Sequence, residues 1–109
     1  MLMTRSVSSL DHTFQALADP TRRALIDQLR GGDARVTDLA RHYPMSLNAV
    51  SKHIKVLEGA GLVERKVEGR EHRIGLSAAP LAEAEAWLAE YREFWQTRLD
   101  RLDRLMKDR

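Results

Sequence analysis

The chain has 109 residues, 43% of them hydrophobic and 31% charged, with 18 Lys and Arg against 16 Asp and Glu. That length allows one domain rather than two, and the composition is that of a packed globular chain rather than a disordered one. The absence of cysteine excludes disulfides, thiolate metal sites and thiol redox chemistry. No run approaches the ~20 apolar residues of a membrane span. The opening MLMTRSVSSLDHTF lacks the apolar core of a secretory signal, so no membrane partner is expected and the expected compartment is the cytoplasm.

Residues 6–9 form a short Ser-rich lead. A first helix is predicted over 9–18, with Leu10, Phe14 and Leu17 on one side. Asp19-Pro20 restarts the chain: Asp accepts the first free amide hydrogens of a helix and proline fits its first turn. The second helix, 20–30, buries Ala24, Leu25 and Leu29 and ends at Gly31-Gly32. A short third helix is predicted over 37–43, with Thr37 as its cap, Leu39 and Ala40 inward, and Pro44 as its break. Ser46 then caps a fourth helix over 46–58, stopped by Gly59 and Gly61. Two β-rich runs within 62–76 flank Glu68-Gly69-Arg70, where glycine supplies a turn, and read as a two-stranded ribbon. A last helix is predicted over 81–106, unbroken because it contains neither Gly nor Pro. The predicted fold is therefore mostly α with a small β-hairpin, in the order α-α-α-α-β-β-α of a single winged helix-turn-helix domain with a long C-terminal dimerisation helix.

The small net charge hides its distribution. Residues 1–77 carry twelve basic and nine acidic side chains, whereas residues 78–109 carry six and seven. Between Asp38 and Glu58 there is no acid at all, while Arg41, Lys52 and Lys55 occur there with His42 and His53 nearby. Such a local patch matters more than the total when the partner is a polyanion.

The helix over 46–58 has its apolar residues Leu47, Val50, Ile54 and Leu57 at spacings of 3, 4 and 3, a single stripe at helical period. Asn48, Lys52 and Lys55 fall opposite Val50, with Ser51 on the flank. A helix entering the major groove needs that division: an apolar back for anchorage and a polar, uncharged-to-basic front. Asn48 matches a base edge, most naturally adenine; Ser51 suits a base or a phosphate; Lys52 and Lys55 suit phosphates or a guanine. The cap at Ser46 leaves amide hydrogens that favour a phosphate, and His53, at the edge of the stripe, is a candidate phosphate contact. The ribbon adds Arg65, Lys66, Arg70 and Arg73. Arg70, beside the turn glycine, is placed to touch the DNA backbone or the minor groove, the competing reading being ion pairs with Glu64, Glu68 and Glu71.

Along the last helix Leu81, Leu88, Trp95 and Leu102 recur every seven residues, with Ala84, Tyr91 and Leu105 between them and Trp87, Phe94 and Leu99 widening the stripe. So long an apolar face exceeds what the domain can cover alone, and part of it is expected to meet a second copy.

The runs ALADPTRRALIDQL at 16–29 and SLNAVSKHIKVLEGAGLVERKVEGREHRIGL at 46–76 resemble the ArsR-type family of bacterial regulators, over roughly residues 12 to 100. The resemblance implies a homodimer that binds an operator and represses until some signal relieves it. It places DNA contacts at Leu47, Asn48, Ser51, Lys52 and Arg70, and pairs the first and last helices at the dimer interface, for which Leu10, Phe14, Leu88, Tyr91, Trp95, Leu99 and Leu102 are the candidates. Several relatives have Gln where Leu47 stands; a leucine can meet a thymine methyl or simply staple the helix start. Metal-sensing members carry Cys at the third helix or Asp and His on the last. The matching residues 33–39 have no Cys, and no His follows His72. His12, His42, His53 and His72 lie in different elements without ligand spacing, so no metal or other cofactor is expected. The competing classes are a winged-helix module that docks protein rather than DNA, and an enzyme. The acid-free segment favours DNA over the first, and the lack of a phosphate loop, nucleophile motif or paired carboxylates disfavours the second. An effector is left open: a small apolar molecule between subunits, lined by Trp87, Tyr91, Phe94 and Trp95, a partner protein, or none.

Overall fold

The computed structural model describes residues 2–108, with side chains from residue 9 to residue 108. The elements run α1 (Leu2–Leu17), α2 (Pro20–Leu29), β1 (Ala34–Arg35), α3 (Val36–Ala40), α4 (Leu47–Gly59), β2 (Val63–Glu68), β3 (Glu71–Leu76), α5 (Ala79–Ala89) and α6 (Arg92–Lys107). Ala16, Leu25, Ile26, Leu29, Leu39, Val50, Ile54, Leu57, Leu62, Val63 and Ile74 form one continuous core. It draws on α1 to α4 and on the sheet, so every element before α5 is fastened to the same centre.

Local chemistry sets the helix boundaries. Asp19, in extended backbone, accepts a bond from the Arg22 N–H at 3.0 Å, and Pro20 opens α2. Ser46 Oγ accepts from the Ala49 N–H at 3.1 Å to start α4. The end of α4 closes when Gly61, at φ 75°, turns the chain so that its own N–H bonds Glu58 O and the Leu62 N–H bonds Leu57 O, both at 2.9 Å. This double closure, with Leu57 and Leu62 both fully buried, is a Schellman motif, and a left-handed glycine makes it possible. Gly61 therefore ends the helix, and Gly59 is its last residue. In the ribbon, Gly69 at φ 62° carries the turn while Arg70 keeps negative φ, the pattern of a two-residue type II′ hairpin.

Several expectations are corrected. The first helix begins well before residue 9, and the Ser-rich lead is part of it: polar residues without a breaker simply continue the helix. The second helix ends at Leu29 rather than 30, and buries Ile26 with Leu25 and Leu29 while Ala24 is only partly covered. The third helix spans Val36–Ala40 rather than 37–43. Arg35 sits at its cap without a side-chain bond, and Thr37 lies inside the first turn, exposed. The reason is β1: Ala34 and Arg35 pair antiparallel with Ile74 and Arg73, which holds Arg35 extended and moves the helix start one residue earlier. The ribbon is thus the larger part of a three-stranded sheet of order β1-β3-β2. In the stripe of α4, Val50, Ile54 and Leu57 are buried but Leu47 is 50% exposed, because it precedes the turn that the core covers.

The largest correction concerns the C-terminal helix over 81–106, which is two helices. The amides of Glu90 and Tyr91 bond the carbonyls of Trp87 and Leu88, three residues back, and α6 restarts with Trp95 N–H on Tyr91 O. This tightened last turn ends α5 without Pro or Gly. Packing accounts for its position. α5 is fastened to α1 through buried Ala84, a Ser9 Oγ bond to Glu83 Oε2 at 3.3 Å and an edge-on contact of Phe14 with Trp87 at 5.8 Å, and Trp87 in turn meets Tyr91 at 5.2 Å. Beyond Tyr91 no intramolecular core guides the chain: α6 has no buried residue. The radius of gyration is 18.2 Å, against about 13 Å expected for a compact chain of this length. Among the described residues no helix is long and apolar enough to cross a membrane.

Candidate nucleic-acid interface

α3 and α4 form the helix-turn-helix, joined by a short break at Pro44 in which the Met45 N–H bonds Tyr43 O at 2.8 Å and the Tyr43 hydroxyl donates to Gln28 Oε1 at 2.9 Å. Burial pushes the Tyr43 phenol above its usual pKa, with the charge of Asp27 acting in the same direction, so it remains a donor that ties the break to α2. With Val50, Ile54 and Leu57 inside, α4 turns Leu47, Asn48, Lys52 and Lys55 to solvent, with Ser51 half-buried on the flank. Asn48, Ser51, Lys52 and Lys55 form no side-chain hydrogen bond or ion pair with the described residues, and neither does Arg70 at the exposed wing tip. The structure brings together the face of α4 and the wing. Between them and the start of α3 lies an open cleft of about 430 Å³ that includes Thr37, Leu47, Ser51 and Arg70.

The neighbouring arginines are committed elsewhere. Arg65 on β2 grips both carboxylate oxygens of Glu58 at 2.7–3.2 Å and reaches His72 Nδ1 at 2.9 Å. Arg35 donates to Asp38 at 3.0 Å and Glu71 at 2.9 Å. Hydrogen bonds to Glu58 raise the pKa of Arg65, and those to Asp38 and then Glu71 raise that of Arg35, so both stay charged and held. Ion pairing therefore takes Arg65 but not Arg70, and the pairs run from the ribbon to α4 and β1 rather than within the ribbon. Sequence reasoning passed over Arg35, Glu58 and Thr37. No local pattern marks the first two as partners, since their mates lie 36 and 7 residues away in other elements.

His53 departs from its expected role as a phosphate contact. Its side chain is only 24% exposed, and its Nδ1 lies 3.3 Å from Arg22 Nη1 and 3.8 Å from Asp19 Oδ2. Arg22 also donates to Ala16 O at 2.7 Å and Gln15 O at 3.0 Å. His53 thus helps dock the recognition helix on the α1–α2 corner, drawn back by two charged neighbours. The Arg22 N–H bonded to its carboxylate holds Asp19 below the usual carboxylate range; burial opposes this, and the charges of His53 and Arg22 reinforce it. A depressed pKa contributes stability that is fully present above the unfolded value of about 3.9 and is lost as pH falls through the folded one. In Asp19→Ser, which keeps a capping oxygen but does not titrate, the deficit in Tm relative to the parent is expected to shrink between pH 4 and 2. A gap unchanged across that range in thermal melts rules out this role for Asp19. Among the described residues no group of three or more His, Asp or Glu is gathered as a metal site.

Residues 17–66 match the family described as a helix-turn-helix domain. The HTH-type transcriptional regulator Rv2034 of Mycobacterium tuberculosis is 41% identical over 87 residues, covering 80% of this chain and 78% of that protein. The transcriptional repressor SdpR of Bacillus subtilis is 29% identical over 82 residues, 75% of this chain and 91% of that one. Among solved structures, the ArsR family transcriptional regulator RHA00566 superposes with a TM-score of 0.76 at 42% identity, over 82% of this chain and 92% of that chain. A helix-turn-helix with an exposed polar second helix, backed by a small sheet whose tip carries an arginine unpaired among the described residues, defines a winged helix-turn-helix transcriptional regulator with a DNA-binding domain. Within that class, the chain belongs to the ArsR-type family, whose relatives here are regulators rather than enzymes.

Proposed function

We propose that this protein is a sequence-specific repressor that binds an inverted-repeat operator in double-stranded DNA as a homodimer, acting in the cytoplasm where that DNA lies. One observation carries the reading. Asn48, Lys52 and Lys55 stand exposed on a helix whose other side is locked into the core, and they have no partner among the described residues while Arg35 and Arg65 nearby do. Ser46, Leu47, Ser51 and Arg70 complete the contact set. Asn48 reads a base, exposed Leu47 meets a thymine methyl, and the Lys side chains hold phosphates. His53 is left out of this set because of its place against Arg22 and Asp19.

The homodimer reading rests on the bare apolar face that runs from the end of α5 along α6. Leu88, Tyr91, Trp95, Leu99 and Leu102 are all exposed, with Phe14 beside them on α1 and Leu10 partly covered. So large a contiguous apolar surface is rare on a chain that works alone. A second copy covers it and fixes the spacing of two recognition helices, so the half-sites lie about one or two helical turns apart. Repression is favoured by the likeness to SdpR, which is named a transcriptional repressor.

Titration of the protein against the duplex upstream of its own gene tests the DNA reading. Lys52→Ala is expected to weaken binding to every duplex and to lower the salt slope by about one, the signature of a phosphate contact. Asn48→Ala is expected to cost about 1–3 kcal/mol at the cognate base and to relax preference there. If both variants keep the parent's affinity and preference, α4 is not the reading element.

A further inference from the structure

The cleft between the start of α3, the start of α4 and the wing has a lining whose roles separate cleanly. Arg35, Arg65, Glu71 and His72 also line it, but they are engaged with one another and with two further carboxylates: Arg35 holds Asp38 and neutralises Glu71, and Arg65 holds Glu58 and reaches His72. What stays available is Arg70, whose charge no carboxylate compensates among the described residues, together with the hydroxyls of Thr37 and Ser51, which have no hydrogen-bond partner there either. Val36 and Leu47 add carbon surface to the same lining. A free cation, two hydroxyl donors and a small apolar floor suit an acceptor-only anion attached to an apolar body.

We infer that this cleft seats one phosphate of the DNA backbone, held by Thr37, Ser51 and Arg70, with Val36 and Leu47 against the adjoining deoxyribose, so that Thr37 on the helix before the recognition helix is a DNA-contacting residue. The inference rests on the DNA-binding reading above and adds to it a site and a residue. A volume of about 430 Å³ exceeds a phosphate group alone and accommodates a stretch of sugar-phosphate chain. The bound arginines act differently. By tying β2 to α4 and β3 to β1, they hold the wing beside the two helices, so that Arg70 and Thr37 line one cleft, and they make no phosphate contact themselves. A contact of this kind sets register on the duplex and carries no sequence information.

The test uses the duplex that the full-length protein enriches from a random library, remade with each phosphate in turn replaced by a neutral methylphosphonate. Thr37→Val keeps the side-chain shape and removes the hydroxyl. It is expected to weaken binding about 10-fold on all sequences, the scale of a lost hydrogen bond to a charged group, with the salt slope unchanged because no charge is removed. One phosphate per half-site is expected to cost the parent protein affinity when neutralised and to cost Thr37→Val measurably less, because Arg70 and Ser51 still hold it. Arg70→Ala shows its reduced penalty at that same phosphate, while Lys52→Ala shows its reduced penalty at a different one. The inference is overturned if Thr37→Val binds like the parent, or keeps the full penalty at every phosphate, while Lys52→Ala is still impaired; in that case the DNA-binding reading stands without it. If the parent enriches no duplex, the reading itself falls and takes the inference with it.

Discussion

Replacing Leu99 and Trp95 together by Asp is expected to convert the protein from dimer to monomer and to lower operator affinity by about 10²–10⁴-fold, without unfolding the winged-helix core. The two residues are 58% and 59% exposed on α6, a helix with no buried residue, so the folded chain loses no core packing when they change, only the edge-on contact of Trp95 with Phe94 at 5.6 Å. In the proposed dimer the same surface becomes apolar core, where an unpaired carboxylate is strongly disfavoured. The affinity range comes from linkage: two recognition helices on one dimer engage the second half-site at high effective concentration, and a monomer forfeits that advantage. Analytical ultracentrifugation reads the assembly, and a mobility shift on paired and single half-sites reads the binding. The monomeric variant should bind paired and single half-sites with nearly equal intrinsic affinity, while the parent prefers the pair. If the parent sediments as a monomer at micromolar concentration, or if the variant remains dimeric, α6 is not the interface.

The break before α6 shows where residue patterns stop being informative. The heptad of Leu81, Leu88, Trp95 and Leu102 is continuous, and no residue near position 90 disfavours a helix, so periodicity predicts one element. The interruption comes from tertiary attachment: Trp87 is pinned to Phe14 and Tyr91 to Trp87, whereas α6 buries nothing against the rest of the chain. Periodicity reports which face is apolar and says nothing of what lies opposite. β1 escaped for a different reason. Two residues cannot display a period, and their strand character exists only because Ile74 and Arg73 lie beside them. By contrast, the start and finish of α4 were legible because their causes are local. Ser46 bonds an amide three residues on, and Gly61 adopts a backbone angle that other residues resist.

The same division holds for the candidate interface. The outward direction of Asn48, Lys52 and Lys55 is set by the α-helical period once Val50, Ile54 and Leu57 are taken as the back. Which of the basic side chains are free was beyond that logic. Arg65 and Arg70 are five residues apart on one ribbon and look equivalent in sequence, yet one is chelated by Glu58 and the other stands open. His53 lies one residue from Lys52 and is turned toward Asp19, because a step of about 100° per residue moves it from the solvent face to the side that meets α2.

Truncating Ile54 separates anchorage from contact. Ile54 is 1% exposed, near the middle of the recognition helix, and belongs to the same core cluster as residues of α1, α2, α3 and the sheet. Ile54→Ala removes buried carbon and leaves a void that close-packed neighbours fill only in part. The expected loss is about 2–5 kcal/mol, a large fraction of the roughly 5–15 kcal/mol by which such domains are stable. Urea unfolding should show a lower midpoint with the slope unchanged. Lys52→Ala, on the opposite side of the same helix, is expected to move stability by less than about 0.5 kcal/mol while weakening DNA binding. The two variants therefore make a crossed pair: one loses fold while its remaining folded fraction still presents the full contact face, and the other keeps its fold and loses the duplex. Should Ile54→Ala leave the midpoint in place, the helix does not lean on the core at that point, and the outward presentation of Asn48 and Lys52 loses its physical support.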